Sequence, residues 1–276
     1  MPSQETLYEV ADHVATITLN RPDKLNAWTA VMEREVRSAI EEAEQDSDVR
    51  VIILTGAGRG FCAGADISLL SAVAGQGVNE KVRAQALGAS EAKREGVQED
   101  FQKKYSYFPA VTKPVIAAIN GPVVGLGFVI TLYCDLRFAS DAARFSTAFS
   151  RRGLIAEYGM AWMLPRLVGL PNALDLLFSA RTIDAAEALR MGVVNQVFAQ
   201  AAFMDKVREY ARDLASSVSP RSLRVIKRQV YAAMFQGLGD AFDLSLHEML
   251  ESLHSEDFKE GVAHFLEKRP PHFQGK

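Results

Sequence analysis

The chain has 276 residues, with 31 lysines and arginines against 34 aspartates and glutamates, for a formal net charge of −3. That balance argues against nucleic acid as a partner, because neutralising phosphates takes a surplus or a stripe of positive charge. At 48% hydrophobic and 24% charged the chain can bury a large core, and no uncharged apolar run approaches the ~20 residues that a bilayer crossing needs. Cys62 and Cys134 are the only cysteines, too few for a disulfide framework and suited to a reducing compartment. The start of the chain carries acids and no apolar leader core, so the expected address is the cytoplasm, with neither secretion nor a membrane partner.

In chain order, residues 7–10 and 13–19 alternate as two strands around a turn near Asp12, which predicts an opening hairpin. Arg21-Pro22-Asp23 breaks the strand. Thr29 then precedes a helical run with Val31, Met32, Val36, Ala39, Ile40 and Ala43 on one face. Residues 49–54 form a short run that is apolar on both faces, the pattern of a strand covered by helices, and end in the glycine loop Gly56-Ala57-Gly58-Arg59-Gly60. Between 71 and 99 small and charged residues mix, predicting helix interrupted by a loop near 74–79. Residues 115–119 repeat the buried-strand pattern and run into a second small-residue turn, Asn120-Gly121-Pro122 with Gly125 and Gly127. Two strand, turn and helix units in one core predict an α/β architecture. Asp184 and Glu187 stand at capping-box spacing, Ser219-Pro220 marks a helix start, and from about 200 onward the pattern is helical. This divides the chain into an α/β core over 1–199 and a helical region over 200–276.

Several chemistries fail on these residues. The glycine loop is similar to the phosphate turn of short-chain dehydrogenases, but the last glycine of that pattern falls on Cys62, the loop lies deep in the chain, and no Tyr-x-x-x-Lys follows. A Walker loop lacks its Gly-Lys-Ser/Thr and a serine-hydrolase elbow is absent. The five histidines, among them His13, His247 and His272, show no metal-ligand spacing, so no metal is expected. Cys62 has no paired base and reads as a buried structural thiol.

What remains is a pair of segments, Phe61-Cys62-Ala63-Gly64-Ala65-Asp66-Ile67 and Ile119-Asn120-Gly121-Pro122-Val123-Val124-Gly125-Leu126-Gly127. Each can present a bare backbone N–H where a strand meets a helix, and two donors aimed at one point make an oxyanion hole. Tight turns that need glycine for positive φ are the plainer reading of either segment alone. Taken with Asn20-Arg21-Pro22, Asn26-Ala27, Cys134-Asp135, Leu164-Pro165-Arg166-Leu167-Val168-Gly169, Ala185-Ala186-Glu187-Ala188 and the tail Glu267-Lys268-Arg269-Pro270-Pro271, the chain resembles the enoyl-CoA hydratase/isomerase (crotonase) superfamily over nearly its whole length.

The resemblance implies a spiral of ββα turns, a helical C-terminal region that forms trimers or hexamers, and an acyl-CoA thioester substrate, with coenzyme A entering as part of the substrate and no permanently bound cofactor. It implies that Ala65 and Leu126 supply the oxyanion N–H groups. The family's hydratases carry two glutamates, and the matching positions here are Val129 and Phe149, neither of which can move a proton. Glu157 instead matches the loop acid of the family's double-bond isomerases, a reaction for which one base suffices. If it stands beside Phe149 and Val129, apolar walls raise its proton affinity; a loop glutamate paired with Arg151 or Arg152 is the plainer reading. For coenzyme A the resemblance places Lys24 and Leu25 at the nucleotide end, Ala27 at the pantetheine, and Ala63, Asp66 and Ile67 around the adenine, although Asp66 equally suits a helix cap. Phe265 and Lys268 match positions that reach coenzyme A across a subunit boundary. Phe149 and Trp162 either shape the acyl pocket or belong to the core. The expected function is therefore enoyl-CoA isomerisation, with a one-carboxylate hydratase and a non-catalytic acyl-CoA binder as the alternatives.

Overall fold

A hairpin of Thr6–Ala11 (β1) and Val14–Leu19 (β2) opens the fold in a computed structural model that describes residues 4–67, 71, 80 and 97–276. Its turn residues Asp12 and His13 have φ of +51° and +63°, the left-handed pair that matches the twist of a two-residue hairpin. The helix Ala30–Gln45 (α1) starts as its sequence predicts, with Thr29 Oγ1 accepting the Met32 N–H at 3.0 Å, a cap that contributes about 1 kcal/mol. Strands Val51–Gly56 (β3) and Val115–Ile119 (β4) are buried along their whole length. Most of the expected interrupted helix over 71–99 lies outside the described residues.

The chain then repeats one path. After β3 it makes an isolated parallel bridge at Cys62; after β4 it forms Val123–Val124 (β5) and the helix Leu126–Tyr133 (α2). After Leu136–Ser140 (β6) it forms Arg144–Ser146 (β7), and further on the helices Met160–Val168 (α3) and Leu170–Ser179 (α4). The two later turns thus each lay one long strand in a large sheet, one short strand in a second sheet, and then a helix. Ile183–Asp184 (β8), the helix Ala185–Met191 (α5), capped by Asp184 on the Glu187 N–H at 2.8 Å, and Gln196–Phe198 (β9) complete the core. The large sheet has the order β1-β2-β3-β4-β6-β9 and is parallel except for the hairpin; the small one has the order β5-β7-β8.

Strand alternation decides which helix covers which face. Ala15, Ile17, Leu19, Ile52 and Leu54 join Met32, Val36 and Ile40 of α1 in the main core. Their neighbours Val14, Val51, Ile53, Ile116 and Ala118 meet Phe203, Val207, Ala211 and Ala215 of the helix Phe203–Ser217 (α6) on the opposite face. Residue 200, where the helical region was expected to begin, sits in a short turn of 3-10 helix, and α6 beyond it is a cover of the sheet. The remaining helices are Pro220–Ala233 (α7), Leu238–Leu253 (α8) and Glu256–Glu267 (α9). α7 is anchored by Lys227, whose ammonium donates to Asp135 Oδ2 at 2.7 Å and to the carbonyls of Phe108 and Lys113 at 3.0 Å each. Asp135 also accepts the Val115 N–H and the Tyr231 hydroxyl, so both oxygens of this carboxylate are engaged.

Candidate active site

The glycine loop is built for close packing. A Cβ at Gly56 would run into the carbonyl oxygens of Gly60 and Phe61, and one at Gly121 into the carbonyl of Arg59. Two buried asparagines hold the loop from within: Asn26 Nδ2 donates to Ala57 O and Gly60 O at 3.0 and 2.8 Å, and Asn120 Nδ2 donates to Gly58 O at 3.0 Å. These groups satisfy the loop's own backbone, which explains its glycines by close approach of chain to chain.

That packing presses the two small-residue turns together. Val124 N–H donates to Cys62 O at 2.9 Å, and Cys62 and Val123 pair as a parallel bridge. Gly64 (φ +97°) and Gly125 (φ +52°) take conformations open to glycine, and a Cβ on Gly64 would stand 3.9 Å from Leu126 N. Around this junction Trp28 N–H donates to Gly64 O, Asp66 N–H to Trp28 O, and Gly125 N–H to Ser146 O. The amides of Ala65 and Leu126 donate to no carbonyl or side chain among the described residues. Leu126 is the first residue of α2, where a helix leaves its amides unpaired and its dipole is positive. Two free donors on abutting turns can stabilise negative charge developing on one oxygen. Cys62 lies beneath them with its thiol pushed up to about 12 by burial, a structural group rather than a nucleophile.

Val129 and Phe149 flank the same junction. The Val129 amide donates to Gly125 O, the Phe149 ring reaches to 3.9 Å of where a Gly125 Cβ would be, and both side chains are buried. Glu157 stands on the loop before α3, its carbonyl accepting the Met160 N–H at 2.9 Å. Its carboxylate is half-buried and makes no hydrogen bond or ion pair among the described residues; Arg151 turns away to donate to Ser179 O. Burial alone raises its pKa above the usual carboxylate range, the direction that lets a carboxyl both hold and release a proton.

The residues matched to coenzyme A fall into two groups. Residues 24–27 and 63–67 lie side by side: Ala63 N–H donates to Leu25 O at 2.9 Å, and Arg21 spans the pair, donating to Ala27 O at 2.6 Å and to Asp66 Oδ2 at 2.8 Å. Lys24 is exposed, Ile67 is 71% exposed, and Leu25 has φ of +48°. Asp66 is thus an ion-pair partner of Arg21, and the helix it was expected to cap falls mostly outside the described residues. Phe265 and Lys268 are apart from this group at the end of α9, exposed, and no hydrogen bond or ion pair joins them to it among the described residues. Trp162 stacks on Phe235 with centroids 5.2 Å apart.

Sequence reasoning missed Arg21 and the aromatic side chains Trp28, Tyr105 and Tyr158. Arg21 reads in the sequence as a strand breaker. Tyr158 is legible only as the neighbour of Glu157, and Tyr105 lies where the sequence pattern is least regular.

The Enoyl-CoA hydratase/isomerase family profile matches residues 9–276. A "Probable enoyl-CoA hydratase" of Rhodobacter capsulatus is 36% identical over 98% of this chain and 97% of its own, and a "1,2-epoxyphenylacetyl-CoA isomerase" of Escherichia coli is 34% identical over 98% of each. The crystal structure of an enoyl-CoA hydratase from Bacillus anthracis superposes with a TM-score of 0.87 at 30% identity, covering 99% of this chain and 100% of that one. With the family profile spanning all but the first residues and relatives of this identity covering both chains nearly end to end, the protein belongs to the enoyl-CoA hydratase/isomerase, or crotonase, superfamily.

Proposed function

We propose that the protein is an acyl-CoA enzyme that moves a double bond along the acyl chain, with the Ala65 and Leu126 amides holding the thioester oxygen and Glu157 carrying the proton. Removing a proton from the carbon next to the thioester, or from its allylic equivalent, places negative charge on the thioester oxygen. Fixed N–H dipoles stabilise that charge without reorganising. Glu157 takes the proton at one carbon and returns it at the other, so the atoms balance with no second acid and no water consumed. The observation that carries the reading is the state of Glu157: half-buried, without a bonding partner among the described residues, and raised in proton affinity by burial. Val129 and Phe149, at the positions of the family's usual glutamates, supply no second acid.

Coenzyme A would lie against residues 24–27 and 63–67, with Phe265 and Lys268 supplied by a neighbouring subunit. Trimers or hexamers suit the exposed apolar side chains on α8 and α9, including Leu238 at 87% and Phe265 at 77% exposure, and the cytoplasm suits the two buried free cysteines. Among the described residues no helix is long and apolar enough to cross a membrane.

The test follows the ultraviolet absorbance of the conjugated enoyl thioester with a 3-enoyl-CoA and a 2-enoyl-CoA offered separately. Gain of conjugation from the 3-enoyl substrate with wild type, absent in Glu157→Gln, is the expected result. Loss of absorbance from the 2-enoyl substrate alone favours the second reading, a one-carboxylate hydratase, which the similarity to the Rhodobacter capsulatus relative supports. No change with either substrate leaves an acyl-CoA binder or a different enolate reaction.

A further inference from the structure

The donor turn and the acid loop are joined by three aromatic side chains. The backbone of Trp28 is stitched to the Ala65 turn on both sides, through Gly64 O and the Asp66 N–H. Its buried ring meets Tyr105 edge-on, with centroids 6.0 Å apart and planes at 81°. Tyr105 in turn meets Tyr158 edge-on at 4.8 Å and 86°, and Tyr158 directly follows Glu157. Edge-to-face geometry is favourable and directional, so each ring fixes the tilt of the next.

Both tyrosines are held against their own backbone preference. Tyr105 has φ of +66° and Tyr158 of +47°, a region that bulky side chains rarely enter and that persists only where the surroundings impose it. Side-chain hydrogen bonds and an ion pair supply the restraints. The Tyr105 hydroxyl donates to Glu33 Oε2 at 3.2 Å, and Lys104 Nζ stands 3.1 Å from the same oxygen. The Tyr133 hydroxyl, at the end of α2, donates to Tyr158 O at 2.7 Å, and a Cβ at Gly159 would collide with that hydroxyl. The α2 helix that begins with the Leu126 donor therefore also holds the residue next to the acid.

We propose that Trp28, Tyr105 and Tyr158 form a brace that sets the distance between the Ala65 donor and Glu157, with Tyr105 and Tyr133 as its positioning residues. The inference rests on the roles proposed for Ala65 and Glu157. Enolate chemistry needs the oxygen donors and the proton carrier at a fixed separation, and a misplacement of about 1 Å costs on the order of 100-fold in rate. Among the described residues, the charged and titratable groups facing the brace include Glu157 and Tyr158 on the acid loop, Tyr133 on α2, Glu33 on α1, and Lys104, Tyr105 and Tyr107 on the segment before β4.

The experiment labels the full-length protein with a water-soluble carbodiimide and glycine ethyl ester and quantifies modification of Glu157 and of Asp135 by mass spectrometry, beside kcat and KM for a 3-enoyl-CoA. Tyr105→Leu and Tyr133→Phe are compared with wild type, and Tyr105→Phe serves as the conservative variant that keeps the ring. The expected result is a several-fold rise in Glu157 labelling in Tyr105→Leu and Tyr133→Phe with Asp135 unchanged, and a fall in kcat of roughly 10- to 100-fold at nearly constant KM. Tyr105→Phe should recover most of the rate. Unchanged Glu157 labelling and kcat in both variants overturn the proposal, as does a joint rise at Glu157 and Asp135, which would make these residues supports of the fold as a whole. A wild-type protein that does not isomerise the substrate overturns the proposed reaction, while the labelling still decides the brace.

Discussion

Asp135 and Glu157 are both carboxylates beside the α2 region of the fold, and they are treated in opposite ways. Asp135 accepts from a backbone amide, a lysine and a tyrosine, and its partner Lys227 spends its remaining protons on two carbonyls. Glu157 receives no hydrogen bond from the described residues and is only half-buried. A carboxylate with both oxygens engaged is inert, and its role is to tie α7 to the sheet. An unsatisfied one, held by its backbone and by the rings around it, keeps its lone pairs for a substrate. The same contrast separates the amides of Trp28 and Gly125, which are paired, from those of Ala65 and Leu126, which donate to no carbonyl or side chain among the described residues.

The largest expected effect tests the open side of this contrast. Glu157→Gln should lower isomerisation by about 10²- to 10⁴-fold, the usual contribution of a general acid and base, with the fold intact by circular dichroism; retention of the wild-type rate would remove Glu157 from the chemistry. Leu126→Pro deletes one donor at a first helical position, where proline is tolerated. It should lower kcat by roughly 10²- to 10³-fold, and an unaltered kcat in a folded variant would show that the thioester oxygen is held elsewhere.

The closed side gives a stability effect in place of a rate effect. Lys227→Met takes the ammonium from Asp135, which is 16% exposed and keeps the Val115 amide and the Tyr231 hydroxyl, and should cost about 1.5–3 kcal/mol in denaturant unfolding; a cost below about 1 kcal/mol, in the range of exposed pairs, would mean that water screens the pair. The smallest effect concerns pH. Burial raises the pKa of Glu157 in the folded state, so the folded chain holds that proton more tightly than the unfolded one, and stability falls as pH rises from the ordinary carboxylate value of about 4.3 through the raised one. Glu157→Gln removes this slope. Its melting temperature relative to wild type should climb with pH across that window and then level off, whereas a difference that stays flat would place the carboxylate in water.

Much of the architecture is legible in the sequence because it depends on local signals. The apolar runs of β3 and β4 report burial on both faces, and Thr29, Asp184 and Ser219 mark helix starts through side chains that accept the first free amides. The two donor turns are legible as paired small-residue segments, although only the structure shows that their backbones abut. What the sequence hides is long-range and aromatic. Nothing local says that Tyr105 reaches Tyr158, that Arg21 bridges Ala27 and Asp66, or that α6 covers the sheet while the apolar faces of α8 and α9 stay open. A free carboxylate is equally invisible, since Glu157 with Arg151 and Arg152 close by in sequence reads as an ordinary ion pair until the arginine is seen to turn away.

The parallel bridge between Cys62 and Val123 carries a consequence for how such a protein can change. Both donors proposed for the thioester oxygen belong to the main chain, and their spacing is set by main-chain hydrogen bonds, so ordinary substitutions at positions 65 and 126 leave the donor groups in place. Loss of an amide to proline, a side chain forced on Gly64 or Gly125, or an insertion in either turn is needed to remove them. Positions 129, 149 and 157, by contrast, present an acid only through a side chain, so one substitution at each exchanges acid for hydrocarbon. On the roles proposed for these residues, the scaffold separates a durable half that stabilises charge from an exchangeable half that chooses where protons go, and new reactions become reachable without rebuilding the pocket.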